Sequence, residues 1–389
     1  MAKVSDINML DSKKYTQSIL VVGHITEIYG PVQALTNHLK KYAINFELIT
    51  HPFSYSNISN SKYQYYLNSA LAKKHVFMKV KGPDVIHFIK DFLLTFLFVI
   101  KLKKKYDIYI GIDNLNAFTG IILHKFRIVN KMIFYVIDYT PKRFENKIMN
   151  YLYHKLDFFC VKHSDYVWNI SKRIAEIRKK QGIEQEKNIV VNVGVELDKI
   201  EYSPRIDRNK LVFVSHLTKS KGVQLIIDAM KDIVEKVPDA KLEIIGTGPY
   251  EYKLREMVIE KGLNENIKFI GAMEHDELFK YLPKCGIALA TYTEDPNSIT
   301  YYADPTKPKE YLACGLPVII TRVPWIAEEI EKRQMGIAIN YDKEELVDAA
   351  VKLLTHDEFF KKCKENALEF ASGLSWNKIY DEAFRQIVY

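Results

Sequence analysis

One stretch of this 389-residue chain gathers residue types that bind phosphate. Asp304-Pro-Thr-Lys-Pro-Lys-Glu310 reads as the start of a helix, capped by Asp304 or Thr306 and stopped by Gly315, that leads into the buried strand Pro317–Thr321. A helix N-terminus presents unpaired N–H groups and positive dipole character, so Lys307 in the first turn makes it an anion site. Glu310, three residues on and on the same face, reaches a ribose diol while phosphates sit at the tip. A routine cap with a surface lysine and glutamate fits the same residues. Leu211–Met230 repeats the arrangement as a strand, a polar loop through His216, and a helix beginning near Lys221 and Gly222. After a third strand, Lys241–Ile245, Gly246 and Gly248 allow backbone to approach a ligand without a Cβ in the way. The missing third glycine argues against an ordinary dinucleotide fingerprint.

The elements that must position these residues alternate between apolar runs and helix-period segments. The runs are 18–23, 46–49, 108–112, 132–137, 166–170, 211–215, 241–245, 267–270, 287–290 and 317–321. Such alternation is the βαβ signature, and strands this poor in polar positions belong to parallel sheets covered on both faces. The expected fold is α/β, with two doubly wound, Rossmann-like domains facing a central cleft. Periodicity breaks at Val195–Lys210, which holds Pro204. The domains are therefore set at 1–195 and 196–374, with 375–389 as a final amphipathic helix capped by Ser375 and returning to the first domain.

Composition excludes several classes. Apolar residues make up 48% and charged residues 27%, which is neither disordered nor fibrous. Cys160, Cys285, Cys314 and Cys363 lie far apart with no C-x-x-C pair, so no disulfide framework or zinc ribbon is indicated. The start of the chain carries Lys3, Asp6, Asp11, Lys13 and Lys14 and has no signal-peptide apolar region. The longest apolar stretch, Phe92 to Ile100, falls short of the ~20 residues a spanning helix needs. A cytoplasmic location is expected. Net charge is +8, but residues 1–200 hold 30 basic against 17 acidic side chains and residues 201–389 hold 26 against 31. A one-sided field suits an acidic partner, and a solvated lysine-rich surface fits it equally. No nucleic-acid recognition module accompanies the basic residues. The segment from Pro83 to Lys105, rich in Phe and Leu and ending Lys101-Leu-Lys-Lys-Lys105, has two readings. It is a buried domain helix, or it lies in an anionic membrane interface on the inner face.

From Asn192 to Trp376 the chain resembles the GT-B nucleotide-sugar glycosyltransferases of group one. Asn192-Val-Gly-Val-Glu-Leu is similar to that family's interdomain segment, and Lys221-Gly222 to its donor-phosphate element. Ile245-Gly-Thr-Gly-Pro is similar to its glycine turn and Phe269-Ile-Gly271 to its strand end near the base. Glu310-Tyr-Leu-Ala-Cys-Gly-Leu-Pro-Val is similar to its long signature. The resemblance implies donor binding by Gly30, His216, Lys221, Gly222, Gly246, Gly248, Gly271, Thr306, Lys307 and Glu310. In it Glu310 holds the ribose hydroxyls and the two lysines neutralise the pyrophosphate, with no metal or other cofactor. His216 stands where the family usually has an arginine, leaving Lys307 to supply that charge. Tyr302 stands where the first of the family's paired glutamates falls, so Glu294 or Asp295 takes that role from a longer loop.

The resemblance is fainter in the first half. It places a glycine loop at Gly30, with His24 and Glu27 at its mouth, and an active-site residue at Asp138, at the end of Ile133-Phe-Tyr-Val-Ile-Asp138. Asp138 deprotonates an acceptor hydroxyl in an inverting enzyme, orients sugar or acceptor in a retaining one, or simply caps its loop. Lys142 and Arg143 lie where an acceptor phosphate would be met. The implied activity is transfer of a sugar from a nucleotide diphosphate to a carbohydrate or polyprenyl-diphosphate-linked acceptor in surface glycan assembly. Two alternatives keep the fold: a nucleotide-sugar 2-epimerase, and a non-catalytic nucleotide- or partner-binding protein.

Overall fold

A computed structural model describes residues 14–27, 29–53, 55–77 and 84–388. The N-terminal charges Lys3, Asp6, Asp11 and Lys13, and Pro83 at the head of the apolar segment, lie outside them. Contacts divide the chain into two units. The first comprises the residues up to Asn192 together with those from Tyr380 onward, and the second is Val193–Ile379.

The first unit holds one eight-stranded sheet in the order β4-β3-β2-β1-β5-β6-β7-β8. Its strands are β1 (Ile19–Ile25), β2 (Asn45–Pro52), β3 (Lys62–Leu67), β4 (Ala70–Val76), β5 (Tyr106–Ile112), β6 (Val129–Val136), β7 (Tyr166–Asn169) and β8 (Asn188–Val190). The helices are α1 (Pro31–Tyr42), α2 (Asp84–Lys101), α3 (Asn114–Lys125), α4 (Lys147–His163) and α5 (Lys172–Lys180). From β2 to β8 the pairing is parallel, as expected of strands as fully buried as β1 and β5. β3 and β4 add an antiparallel hairpin on one edge, turning at Asn68 and Ser69, both at positive φ. Every side chain of β4 is exposed, so no apolar alternation marks it in the sequence.

The second unit has a six-stranded parallel sheet, β11-β10-β9-β12-β13-β14. It is built from β9 (Asp207–Val214), β10 (Lys241–Ile245), β11 (Ile267–Gly271), β12 (Cys285–Ala290), β13 (Val318–Thr321) and β14 (Gly336–Ile339). Helices α6 (Val223–Lys236), α7 (Glu251–Glu260), α8 (His275–Tyr281), α9 (Ile299–Tyr302), α10 (Thr306–Ala313), α11 (Ile326–Lys332), α12 (Lys343–Thr355) and α13 (Asp357–Ala371) complete it. Two apolar clusters form its core. One includes β9, β12 and α10 residues such as Val212, Ala288 and Leu312. The other includes Ile226, Met230, Leu346 and Leu353, from α6 and α12.

Helix α14 (Trp376–Val388) begins as the sequence indicates, with the Lys378 N–H donating to Ser375 Oγ at 3.3 Å. Its later residues Tyr380, Phe384 and Ile387 are buried in the first unit. The Tyr380 hydroxyl donates to the Pro31 carbonyl at 3.0 Å, and Phe384 packs edge-on against Trp168.

In each sheet the chain order reverses once, between β1 and β5 and between β9 and β12. Ligands of open parallel sheets bind beyond the carboxyl ends of the strands at such a point. The residues with chemistry to offer lie on those loops.

Candidate functional site

In the second unit the loops after β9 and β12 are tied together by an approach that only glycine permits. Gly222 sits at φ +77° and ends the loop before α6; a Cβ there would fall 1.4 Å from the Thr291 carbonyl oxygen. The Thr291 hydroxyl donates to the Gly222 carbonyl at 3.0 Å, and the Thr293 N–H to that of Ser220 at 3.1 Å. The neighbouring Lys221 is thereby held with its ammonium 5.4 Å from the Tyr292 ring centre. No carboxylate among the described residues pairs with it, and burial pulls its pKa down.

Tyr292 connects Lys221 to Glu310: burial first, then the Glu310 charge, push the Tyr292 phenol up. Glu310 is buried on α10 and accepts from Lys307 Nζ at 2.7 Å and from His275 Nε2 at 3.0 Å. Burial opposes its ionisation, but His275 and Lys307 outweigh burial and hold the carboxyl below its usual value. Lys221, Tyr292, His275, Lys307 and Glu310 thus supply two ammonium groups, a phenol, an imidazole and a carboxylate, linked through Tyr292 and Glu310. Sequence reasoning missed His275 and Tyr292. His275 begins α8, which carries none of the motifs read from the sequence, and Tyr292 reads as an ordinary strand-end aromatic.

Several sequence readings change here. Asp304 is not a cap, and α10 starts at Thr306 after Pro305 with no side-chain cap bond. Instead Asp304 is buried, accepting from the Val193 N–H at 2.6 Å, from Trp325 Nε1 at 3.0 Å and from Lys309, whose ammonium also donates to the Val193 carbonyl at 2.9 Å. Gly246 and Gly248 make room for protein rather than ligand. A Cβ on Gly246 would lie 1.9 Å from the Ser215 carbonyl oxygen, and one on Gly248 2.4 Å from that of Leu217. Gly271, at positive φ, has open space on its Cβ side, and its carbonyl accepts the Gly246 N–H at 2.7 Å. His216 and Glu294 are exposed, on the loops after β9 and β12.

In the first unit His24 and Asp138 line one cavity of about 270 Å³. His24 is the penultimate residue of β1, and its Nδ1 lies 2.6 Å from Asp113 and its Nε2 3.2 Å from Asp91. Asp113 follows β5 at φ +69° and ψ 167°, a conformation that costs a non-glycine residue about 1–3 kcal/mol. Its carboxylate caps α3 through the N–H groups of Leu115 and Asn116 while holding His24. Asp91, on α2, also pairs with His51 Nδ1 at 3.0 Å and Lys90 at 2.7 Å. Burial alone would neutralise His24, but Asp113 and Asp91 outweigh it and raise its pKa to about 9. His24 is therefore an imidazolium with both nitrogens engaged, which suits an electrostatic or positioning role rather than that of a base. Asp138, after β6, accepts from Arg143 at 2.7 Å, so the guanidinium expected to meet an acceptor phosphate is partnered within the cavity. Lys142 is exposed and pairs with Glu145. The Gly30 N–H, at the head of α1, donates to the Gln33 side chain at 3.2 Å. Asp91, His51 and Asp113 were missed. The one signal for Asp91 is a carboxylate at the head of the apolar run of this helix.

The buried pair of histidines sets a pH dependence. The folded pKa of His24 lies above the ~6.5 of an unfolded histidine, so its stabilisation is complete below that pH and is lost as pH rises through about 9, roughly 3 kcal/mol in all. Burial holds His51 below the ordinary value, so its neutral form costs stability as pH falls under ~6.5. Denaturant midpoints of the first unit, followed by Trp168 fluorescence in a Trp325→Phe, Trp376→Phe background, should peak near neutrality and fall by pH 9.5. His24→Gln should flatten the alkaline limb.

Comparison with known proteins gives a family match for the second unit and a fold for the chain. Residues 195–370 match the family model of glycosyl transferases group 1. An uncharacterized glycosyltransferase of Methanocaldococcus jannaschii is 29% identical over 223 residues, 57% of this chain and 58% of that protein. N-acetyl-alpha-D-glucosaminyl L-malate synthase of Bacillus anthracis is 28% identical over 172 residues, 44% of this chain and 42% of that enzyme. The chain thus aligns with roughly half the length of these curated relatives. The crystal structure of Anabaena HepE in complex with UDP superposes over 95% of this chain and 99% of that one, with a TM-score of 0.72 and 14% identity. The second unit is thereby placed among the glycosyl transferases group 1, and the chain as a whole carries the two-domain GT-B fold.

Proposed function

We propose that the chain is a glycosyltransferase that moves a sugar from a nucleotide-diphosphate sugar to a carbohydrate or lipid-linked acceptor in surface glycan biosynthesis. It works at the cytoplasmic side of a membrane. The observation that carries this reading is the cluster around Glu310. A buried, ionised carboxylate is matched to the hydroxyl pair of a ribose, with Lys307 bonded to it and Lys221 over the Tyr292 ring to receive the pyrophosphate. In that arrangement the lysines counter the charge that builds on the leaving diphosphate, with no metal. The UDP complex of the structural relative, and the membership of residues 195–370 in the transferase family, support the same reading. Asp113 and Asp138 would hold the acceptor hydroxyl, with His24 fixing Asp113 in place.

Thermal melting in EDTA with UDP, GDP, ADP, TDP or CMP tests the donor site, because a ligand that binds only the folded state raises the apparent melting temperature. One diphosphate should stabilise the wild type by several degrees, and Lys307→Ala and Lys221→Ala should each lose most of that response. No response to any nucleotide would overturn the reading, and a response that appears only when a divalent ion replaces EDTA would overturn its metal-free form.

A further inference from the structure

Helix α2 is turned inside out. The side against the sheet carries Asp91, Thr95 and Val99, all buried, with Thr95 hydrogen-bonded to His51 at 2.8 Å. The opposite side is an exposed stripe of Ile86, Ile89, Leu93, Leu97 and Ile100, spaced three and four residues apart. Leu97 is 60% exposed. A surface helix that packs on a core places these residue types the other way round. The stripe does not stand alone, since α2, α3 and α4 are joined by ring contacts from Phe92 to Phe118 and from Phe118 to Phe159. Phe126 extends it beyond α3, and Ile148, Tyr151 and Leu152 extend it along α4, all more than half exposed. Single exposed apolar residues are ordinary; a contiguous set across three helices marks a binding surface.

Charge indicates what covers it. Lys101, Lys103, Lys105, Lys125, Arg127 and Lys162 are exposed on these helices or just past their ends, whereas the carboxylates Asp91 and Asp157 are buried and paired. Apolar side chains with a predominantly basic surround, in which Glu145 before α4 is exposed and paired with Lys142, match the acyl boundary and headgroups of an anionic bilayer. Phe88 and Leu152, exposed on this face, also line the cavity that holds His24, Asp113 and Asp138. The remaining walls are largely apolar, with Leu115, Met149 and Leu156 among them, and the polar side chains gather around His24, Asp113, Asp138 and Arg143, where the two carboxylates are fit to accept from a hydroxyl. A free sugar would leave most of its hydroxyls unmatched against such walls.

We propose that the face formed by α2, α3 and α4 seats the protein on an anionic membrane, and that the acceptor is an amphiphile with a hydroxyl headgroup, its apolar part filling this cavity. The second half rests on the transferase reading. The first is independent of it.

Flotation of the full chain with vesicles tests the face. The wild type should float with vesicles containing phosphatidylglycerol, less as salt is raised, and hardly at all with phosphatidylcholine alone. Leu93→Glu with Leu97→Glu, and separately Lys101→Glu with Lys103→Glu and Lys105→Glu, should each weaken binding at least about tenfold. The lysine variant lies off the apolar stripe, so it holds the test if the leucine variant misfolds. No vesicle binding by the wild type overturns the proposal. So does a wild-type dimer in light scattering that Leu93→Glu with Leu97→Glu dissolves while flotation is unchanged, which would make the face a contact between copies. For the cavity, monodecanoin should raise the melting temperature of the wild type but not of Met149→Trp, and glycerol or decanoate alone should do neither. An absent or Met149→Trp-insensitive shift overturns the amphiphile. If the transferase reading fails instead, the nucleotide response is missing while vesicle binding stays intact.

Discussion

Glu310→Gln should lower kcat/KM for the nucleotide-sugar donor by roughly a hundredfold while leaving the fold in place. A hydrogen bond to a charged group contributes about 1.5–3 kcal/mol, and at ~1.4 kcal/mol per decade the loss of charge at both ribose contacts reaches that size. The amide keeps the shape of the carboxylate, so α10 should pack as before. Lys307 and His275 would lose the partner that both now share. Steady-state kinetics over a range of donor concentrations, with circular dichroism as the fold control, checks this. An unchanged kcat/KM would show that the carboxylate does not touch the donor.

A larger effect on stability is expected from Asp304→Asn. Lys309 and Asp304 are completely buried side chains, and burial pushes each toward its neutral form while the partner charge pulls it back. Removing one charge of such a pair costs about 3–5 kcal/mol because the other stays buried without compensation. For a unit of this size that is roughly 10 °C in melting temperature. Lys309→Met combined with Asp304→Asn should recover part of the loss, since the two charges then vanish together. Calorimetry of the single and double variants separates the outcomes, and a fully additive double variant would mean that the two residues do not interact.

The contrast between these two residues shows what the sequence made legible. Glu310, Lys307 and Lys221 sit within motifs of the right order, and each lands at the carboxyl end of a strand beside the point where strand order reverses. Their placement could be read locally because each motif carries its own strand, loop and helix. Asp304 lies in the same motif, yet its role was misread as a cap, because its partners Val193 and Trp325 are 111 and 21 residues away. Asp91 and Asp113 were invisible for the same reason, since His24 contacts them across 67 and 89 residues. The strands divide in the same way. The ten apolar runs all form strands, while β4 could not be seen because it buries nothing, and β8 is only three residues long. Gly246 and Gly248 were identified as necessary glycines for the wrong neighbour, because spacing shows that a Cβ is unwelcome and only coordinates show what it would strike.

The way the chain passes between its two units bears on how it is made. Residues 193–379 form a continuous block, whereas the first unit lacks the side chains of Tyr380, Phe384 and Ile387 until that whole block has been synthesised. Tyr15 illustrates the delay: its ring packs on Phe384 and its hydroxyl donates to Asp381, 366 residues later. Domains usually close in the order in which they leave the ribosome. Here the second unit can be complete while the first still waits for its closing helix, with Trp168 and His38 lacking their Phe384 contacts. Loop closure over so long a stretch is slow, and a nascent chain halted before Tyr380 would carry a finished second unit beside an unfinished first one.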